Sequence, residues 1–95
     1  MAEIQENPLF QACAGNLTAS VSEETVLLHV ATGSYFGLNE VASRAWQLLQ
    51  APMSIEALVD KLRGEFDVSE DILRPDMLRL LRELESSGLV EKCRG

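Results

Sequence analysis

A change of hydrophobic period within one uninterrupted stretch, Gly33 to Trp46, constrains this fold more than any other feature. Over Ser34–Leu38, Phe36 and Leu38 share one face while Tyr35 and Gly37 share the other, the two-residue alternation of a strand. From Glu40 onward Val41, Ala42, Ala45, Trp46, Leu48 and Leu49 recur at helical spacing. Asn39 stands at the junction, where its short side-chain oxygen can cap the first helical amides and Glu40 meets the positive helix end. The strand therefore runs into the helix without a linker.

The chain has 95 residues, enough for one domain with a small two-layer core that buries roughly 60–65% of its unfolded surface. A net charge of -7 argues against a partner held by its phosphates, because nucleic-acid affinity comes largely from Lys and Arg. Cys13 and Cys93 lie near the two ends and form no CxxC pair, so both are expected as free thiols in a reducing compartment. Glu3 and Glu6 interrupt the N-terminus, where no apolar run suggests a signal peptide. No apolar segment approaches the roughly 20 residues that span a bilayer. The expectation is a cytoplasmic protein with no membrane partner.

Residues 1–15 read as a flexible N-terminal arm in which Pro8-Leu9-Phe10 can dock on the domain, and the domain occupies residues 16–92. Strands are predicted over Leu17–Ser22, Thr25–Val30 and Ser34–Leu38. The second carries Val26, Leu28 and Val30 on one face and Leu27 and His29 on the other. Ala31-Thr32-Gly33 is a hairpin loop in which Gly33 supplies a positive φ. The three strands form an antiparallel meander in sequence order, with the third strand at an edge. Helices follow over Glu40–Gln50, ending before Ala51-Pro52, and after the N-cap Ser54, with Ile55, Leu58, Val59, Leu62 and Phe66 on one stripe. Pro75 predicts a turn at Ser69–Leu73, a kink, and a helix from Pro75 to Ser87 that Gly88 stops. Leu89-Val90 then returns against the sheet or the helices. The fold class is α+β and winged-helix-like, a three-stranded antiparallel sheet followed by a three-helix bundle. Trp46, Phe36, Leu38, Leu58, Leu62 and Leu84 are expected in its core.

Chemistry-bearing clusters are not evident. His29 has no Cys, Asp or Glu at metal-ligand spacing, and neither cysteine has the setting of an activated nucleophile. Gly33 and Gly37 open no helix within a Gly-rich turn, so they form no phosphate loop. Neither a catalytic activity nor a cofactor is expected. A winged domain raises the alternative of DNA binding, but Arg74, Arg79 and Arg82 alternate with Asp76, Glu83 and Glu85 as ordinary helix-surface pairs.

The third predicted strand offers another role. Edges are usually blunted by Lys, Pro or a covering segment, and Ser34-Tyr35-Phe36-Gly37-Leu38 has neither Lys nor Pro. Gly37 permits close approach of another backbone. On the last helix Leu73, Met77, Leu80, Leu81 and Leu84 make a core stripe, with Leu78 on the flank beside Arg74, Arg82 and Glu85. If that flank faces the edge, a groove forms that suits an extended peptide added as a strand. The N-terminal arm is the competing occupant, and the same edge offers a route to a homodimer.

The run Gly33-Ser34-Tyr35-Phe36-Gly37-Leu38-Asn39-Glu40, then Ala45-Trp46, then Asp76-Met77 with Leu80-Leu81 and Leu84, closing on Gly88-Leu89-Val90, resembles the PqqD family over roughly residues 15 to 92. That family is named for protein D of pyrroloquinoline quinone biosynthesis. The resemblance implies a recognition element for ribosomally made, post-translationally modified peptides. Such domains bind a precursor's leader against the third strand, beside the third helix, and pass it to a modifying enzyme without doing chemistry. Quinone-pathway members carry a Pro-Glu pair ahead of that strand, where this chain has Ala31-Thr32-Gly33. Its Gly-x-Tyr-Phe-x-Leu-Asn form looks more like the stand-alone members of lasso-peptide clusters, whose partner is a leader peptidase; a peptide chaperone of the quinone pathway, with a radical SAM enzyme as partner, is the alternative. The peptide-binding residues implied are Ser34, Tyr35, Phe36, Gly37, Leu38, Arg74, Met77, Leu78 and Leu81, with Arg74 meeting an acidic leader residue.

Overall fold

The computed structural model describes residues 8–93, which form two antiparallel sheets and three helices. In chain order these are β1 (Leu9–Ala12), β2 (Asn16–Val21), β3 (Glu24–His29), β4 (Ser34–Leu38), α1 (Glu40–Leu48), β5 (Met53–Ser54), α2 (Ile55–Glu65), α3 (Glu70–Ser86) and β6 (Val90–Cys93). The α+β class and the meander β2-β3-β4 are as the sequence predicts. Among the described residues, no helix is long and apolar enough to cross a membrane.

The meander's register decides which backbone groups stay open. Ser22 and Glu23 alone connect β2 to β3, with Val21 opposite Glu24 and Ser22 at φ 58. Such a two-residue turn closes on a mutually hydrogen-bonded pair, and bonding then alternates along the ladder. Glu24, Val26 and Leu28 bond to β2, whereas Thr25, Leu27 and His29 bond to Leu38, Phe36 and Ser34 of β4. The amide and carbonyl groups of Tyr35 and Gly37 therefore point away from β3, and so do those of Thr18 and Ser20 at the opposite margin. Gly33, at φ +75, closes the β3–β4 turn by donating its amide to the His29 carbonyl at 2.9 Å.

The sheet presents Thr25, Leu27 and Leu38 to the helices, all of them buried. Val26 and Val30 face outward, 42% and 56% exposed, although theirs is the more apolar face of β3. The core centres on Leu27, Trp46, Leu49, Leu58, Leu62, Leu73, Leu81 and Leu84. Phe36 is only half-buried and packs against the margin of this cluster.

Two expectations need correction. Leu9–Ala12 is not part of a loose arm: it is the central strand of a second sheet, ordered β5-β1-β6. Phe10 is buried, the Ala12 amide donates to the Leu49 carbonyl at 2.8 Å, and Cys13 donates to Leu89 at 2.9 Å. Residues 1–7 of the expected arm lie outside the described residues. The C-terminal return, with Leu89 and Val90 buried, supplies the pairing partner that a reading of local signals could not provide.

The second correction concerns Pro75, which neither breaks α3 nor delays its start. A proline there removes one bond, the one that would reach the Asp71 carbonyl, and Asp71 is exposed to water. Leu73 and Met77 are buried on either side and hold the two turns on one axis.

The other helix starts follow from their caps. Asn39 Oδ1 accepts the Ala42 amide at 2.9 Å, and Ser54 Oγ accepts that of Ala57 at 3.1 Å. Asn39→Ala is expected to cost about 1 kcal/mol in a urea titration, since the cap alone is lost.

Candidate functional site

Between β4 and α3 runs a groove made of two neighbouring cavities. The first, of about 420 Å³, is lined by Gly37 and Leu38 from the strand, Val41 and Ala42 from α1, Val68, and Ile72, Leu73, Met77 and Leu80 from α3. Its polar rim is Asn39, Asp76, Arg79 and Glu83. The second, of about 440 Å³, is bounded by Phe36, Arg82, Glu83, Ser86 and Ser87. Glu83 borders both and joins them into one furrow along the strand.

One wall of this furrow is the backbone of Tyr35 and Gly37, which has no strand partner on this side among the described residues. The other is the face of α3 carrying Ile72, Asp76, Leu80 and Glu83, spaced three or four residues apart and adjoining the buried stripe Leu73, Met77, Leu81 and Leu84. A hydrogen-bonding rail thus stands opposite an apolar floor with a charged rim. Asp76 and Arg79 satisfy each other at 3.0 Å. His29 Nδ1 lies 3.0 Å from Thr32 Oγ1, which also accepts the Ser34 amide at 3.3 Å, so the turn that delivers β4 is tied at its base.

The expected site residues divide. Ser34–Leu38 do form the margin of the sheet, Tyr35 being 74% exposed and Leu38 buried at the cavity floor. Met77 lines the first cavity from below. Arg74 does not join them: its guanidinium reaches Glu70 at 3.0 Å and Glu56 at 3.2 Å, bridging α2 and α3. Hydrogen bonds to Glu70 and then Glu56 raise its pKa above the ordinary arginine value. Leu81 is core, and Leu78 sits about 140° round the helix from Glu83. The groove lies on the other flank of the core stripe from the one that Leu78 marks.

Ile72, Asp76, Leu80 and Glu83 were not legible as site residues. A turn and kink before Pro75 would take Ile72 off the helix, and with it the start of the face it shares with Asp76 and Glu83. The continuous helix restores that face.

The remaining chemistry is sparse. Among the described residues, no group of three or more His, Cys, Asp or Glu side chains is placed to hold a metal ion. Both cysteines are free, and burial, with Glu91 second, pushes the Cys13 thiol above its ordinary value, away from the reactive thiolate. Arg74 and Arg79, which would belong to a DNA-reading face, are engaged by carboxylates.

Comparison with known proteins gives consistent results. The family model of coenzyme PQQ synthesis protein D (PqqD) matches residues 24–90. No curated protein matches the chain. A solved structure described as TbiB1 in complex with the TbiA(beta) leader peptide is 34% identical, covers 90% of this chain and 99% of its own, and superposes with a TM-score of 0.75. A lasso peptide synthetase B1 complexed with the leader peptide is similar in fold, with 24% identity, coverage of 86% and 96%, and a TM-score of 0.72.

Proposed function

The chain belongs to the PqqD family, and from that premise we propose that it recognises the leader of a ribosomally made precursor peptide in a lasso-peptide-like pathway. It binds the leader without catalysing a reaction and presents it to a modifying enzyme or leader peptidase. The observation that carries this reading is the open margin of β4 lying beside the α3 groove. The 34% identical TbiB1, described in complex with a leader peptide, supports it.

An added strand bonds to the backbone of Tyr35 and Gly37, and its alternate side chains fall into the furrow two residues apart. One enters the apolar cavity between Leu38 and Ile72, and the next lies against Phe36 and Glu83. Backbone pairing supplies affinity with little regard to sequence; the cavities select.

The test is calorimetric titration with synthetic leader peptides of lasso-type precursors, each against a scrambled control. Only a genuine leader should bind, and the amides of Tyr35 and Gly37 should then exchange slowly with solvent. Ile72→Asp places a charge against the apolar floor and is expected to weaken binding about tenfold or more. Ile72 is 60% exposed, so the melting temperature should hold. Unchanged affinity in that variant, or unprotected β4 amides in the complex, would remove the groove from consideration.

A further inference from the structure

We infer that two copies of the chain associate through the outer margin of β2, pairing antiparallel about Ala19 so that their meanders fuse into one six-stranded sheet. This inference stands apart from the peptide reading, because it uses the opposite side of the sheet.

Among the described strands β2 pairs with β3 alone. Its sequence, Asn16-Leu17-Thr18-Ala19-Ser20-Val21, contains no charge and no proline. Every residue from Leu17 to Val21 is exposed, Leu17 at 61% and Val21 at 68%. Natural edges are ordinarily protected from one another by Lys, Pro, a bulge or a cover. This one has no Lys or Pro and offers outward amides and carbonyls at Thr18 and Ser20.

The strand is also complementary to itself. Facing residues of an antiparallel pair must lie on the same side of the sheet, so a two-fold axis has to pass through a residue and not between two. With the axis at Ala19, Leu17 meets Val21 of the second copy on one side, twice over. On the other side Thr18 meets Ser20, and these are the residues whose backbone groups point outward. Apolar faces apolar, hydroxyl faces hydroxyl, and both add to pairing.

Charge selects this orientation. Glu23 lies in the two-residue turn that ends β2, and Glu24 opens β3 opposite Val21. A parallel arrangement would set them against their copies, whereas the antiparallel one keeps the two Glu23 residues roughly 25 Å apart along the ladder, beyond the Debye length in physiological salt. A six-residue contact is at the small end of the interface range, so the dimer forms with rising concentration and is not obligate. Both β4 margins stay open at the far ends of the joined sheet.

Sedimentation velocity from micromolar to millimolar protein tests this. Wild type should pass from monomer to dimer. Ala19→Lys sets two ammonium groups opposite each other at the axis and should weaken association about tenfold or more. Ala19→Glu should do the same, and an equimolar mixture of the two variants should recover the dimer. Wild type monomeric at millimolar concentration, Ala19→Lys dimerising normally, or no recovery in the mixture would overturn the inference. Loss of the dimer in Tyr35→Pro would also overturn it, by moving the contact to β4.

Discussion

Proline at position 35 lowers leader affinity by about a hundredfold or more, because it removes a donor in the middle of the pairing rail and opposes the incoming strand with its ring. The fold should tolerate the change. The Tyr35 amide points away from β3, its side chain is 74% exposed, and proline is accepted on edge strands where the lost donor faces solvent. Tyr35→Ala is the informative control: it keeps the donor, discards the ring, and should retain most of the binding. If Tyr35→Pro bound the leader within about threefold of wild type, pairing at this margin would be the wrong mode.

Leu84→Ala should destabilise the protein by about 2–5 kcal/mol, the range for emptying a closed leucine site. Leu84 is fully buried, and its carbonyl accepts the Leu89 amide at 2.9 Å where α3 gives way to β6. A chain of this size is stable by roughly 5–14 kcal/mol in all, so the loss is a substantial share of the total. The thermal midpoint should fall by about 10 °C or more, and urea titration would give the same ordering. Leu78→Ala, at 37% exposure on the same helix, should cost under about 1 kcal/mol. Equal losses in the two variants would contradict the assignment of the core stripe.

Much of the fold was legible because its signals are local. The switch of period at Asn39, the caps at Asn39 and Ser54, and the glycine at φ +75 each fix one element without reference to the rest. β1 was not legible, since a four-residue strand has no identity until Val90–Cys93 arrives beside it from the far end of the chain. Nor could β3 declare its inner face. Val26, Leu28 and Val30 outweigh Leu27 in apolarity, yet Leu27 is the buried one, because α1 packs on that side.

The site was half visible. Ser34–Leu38 stood out through composition alone, lacking the residues that usually defend an edge. The α3 wall did not, since its location depended on whether Pro75 interrupts the helix. The penalty of a missing amide is local, whereas the burial of Leu73 and Met77 on either side of the proline depends on the packing of the whole domain.

Leu9 pairs with Cys93, so the two described extremities of the chain emerge side by side. A unit built this way can be spliced between two segments of a longer polypeptide with both junctions at one spot. The meander and the furrow contribute nothing to that junction, so they would survive such a transplant, and a cargo-handling module could be fused to the machinery it serves without redesign.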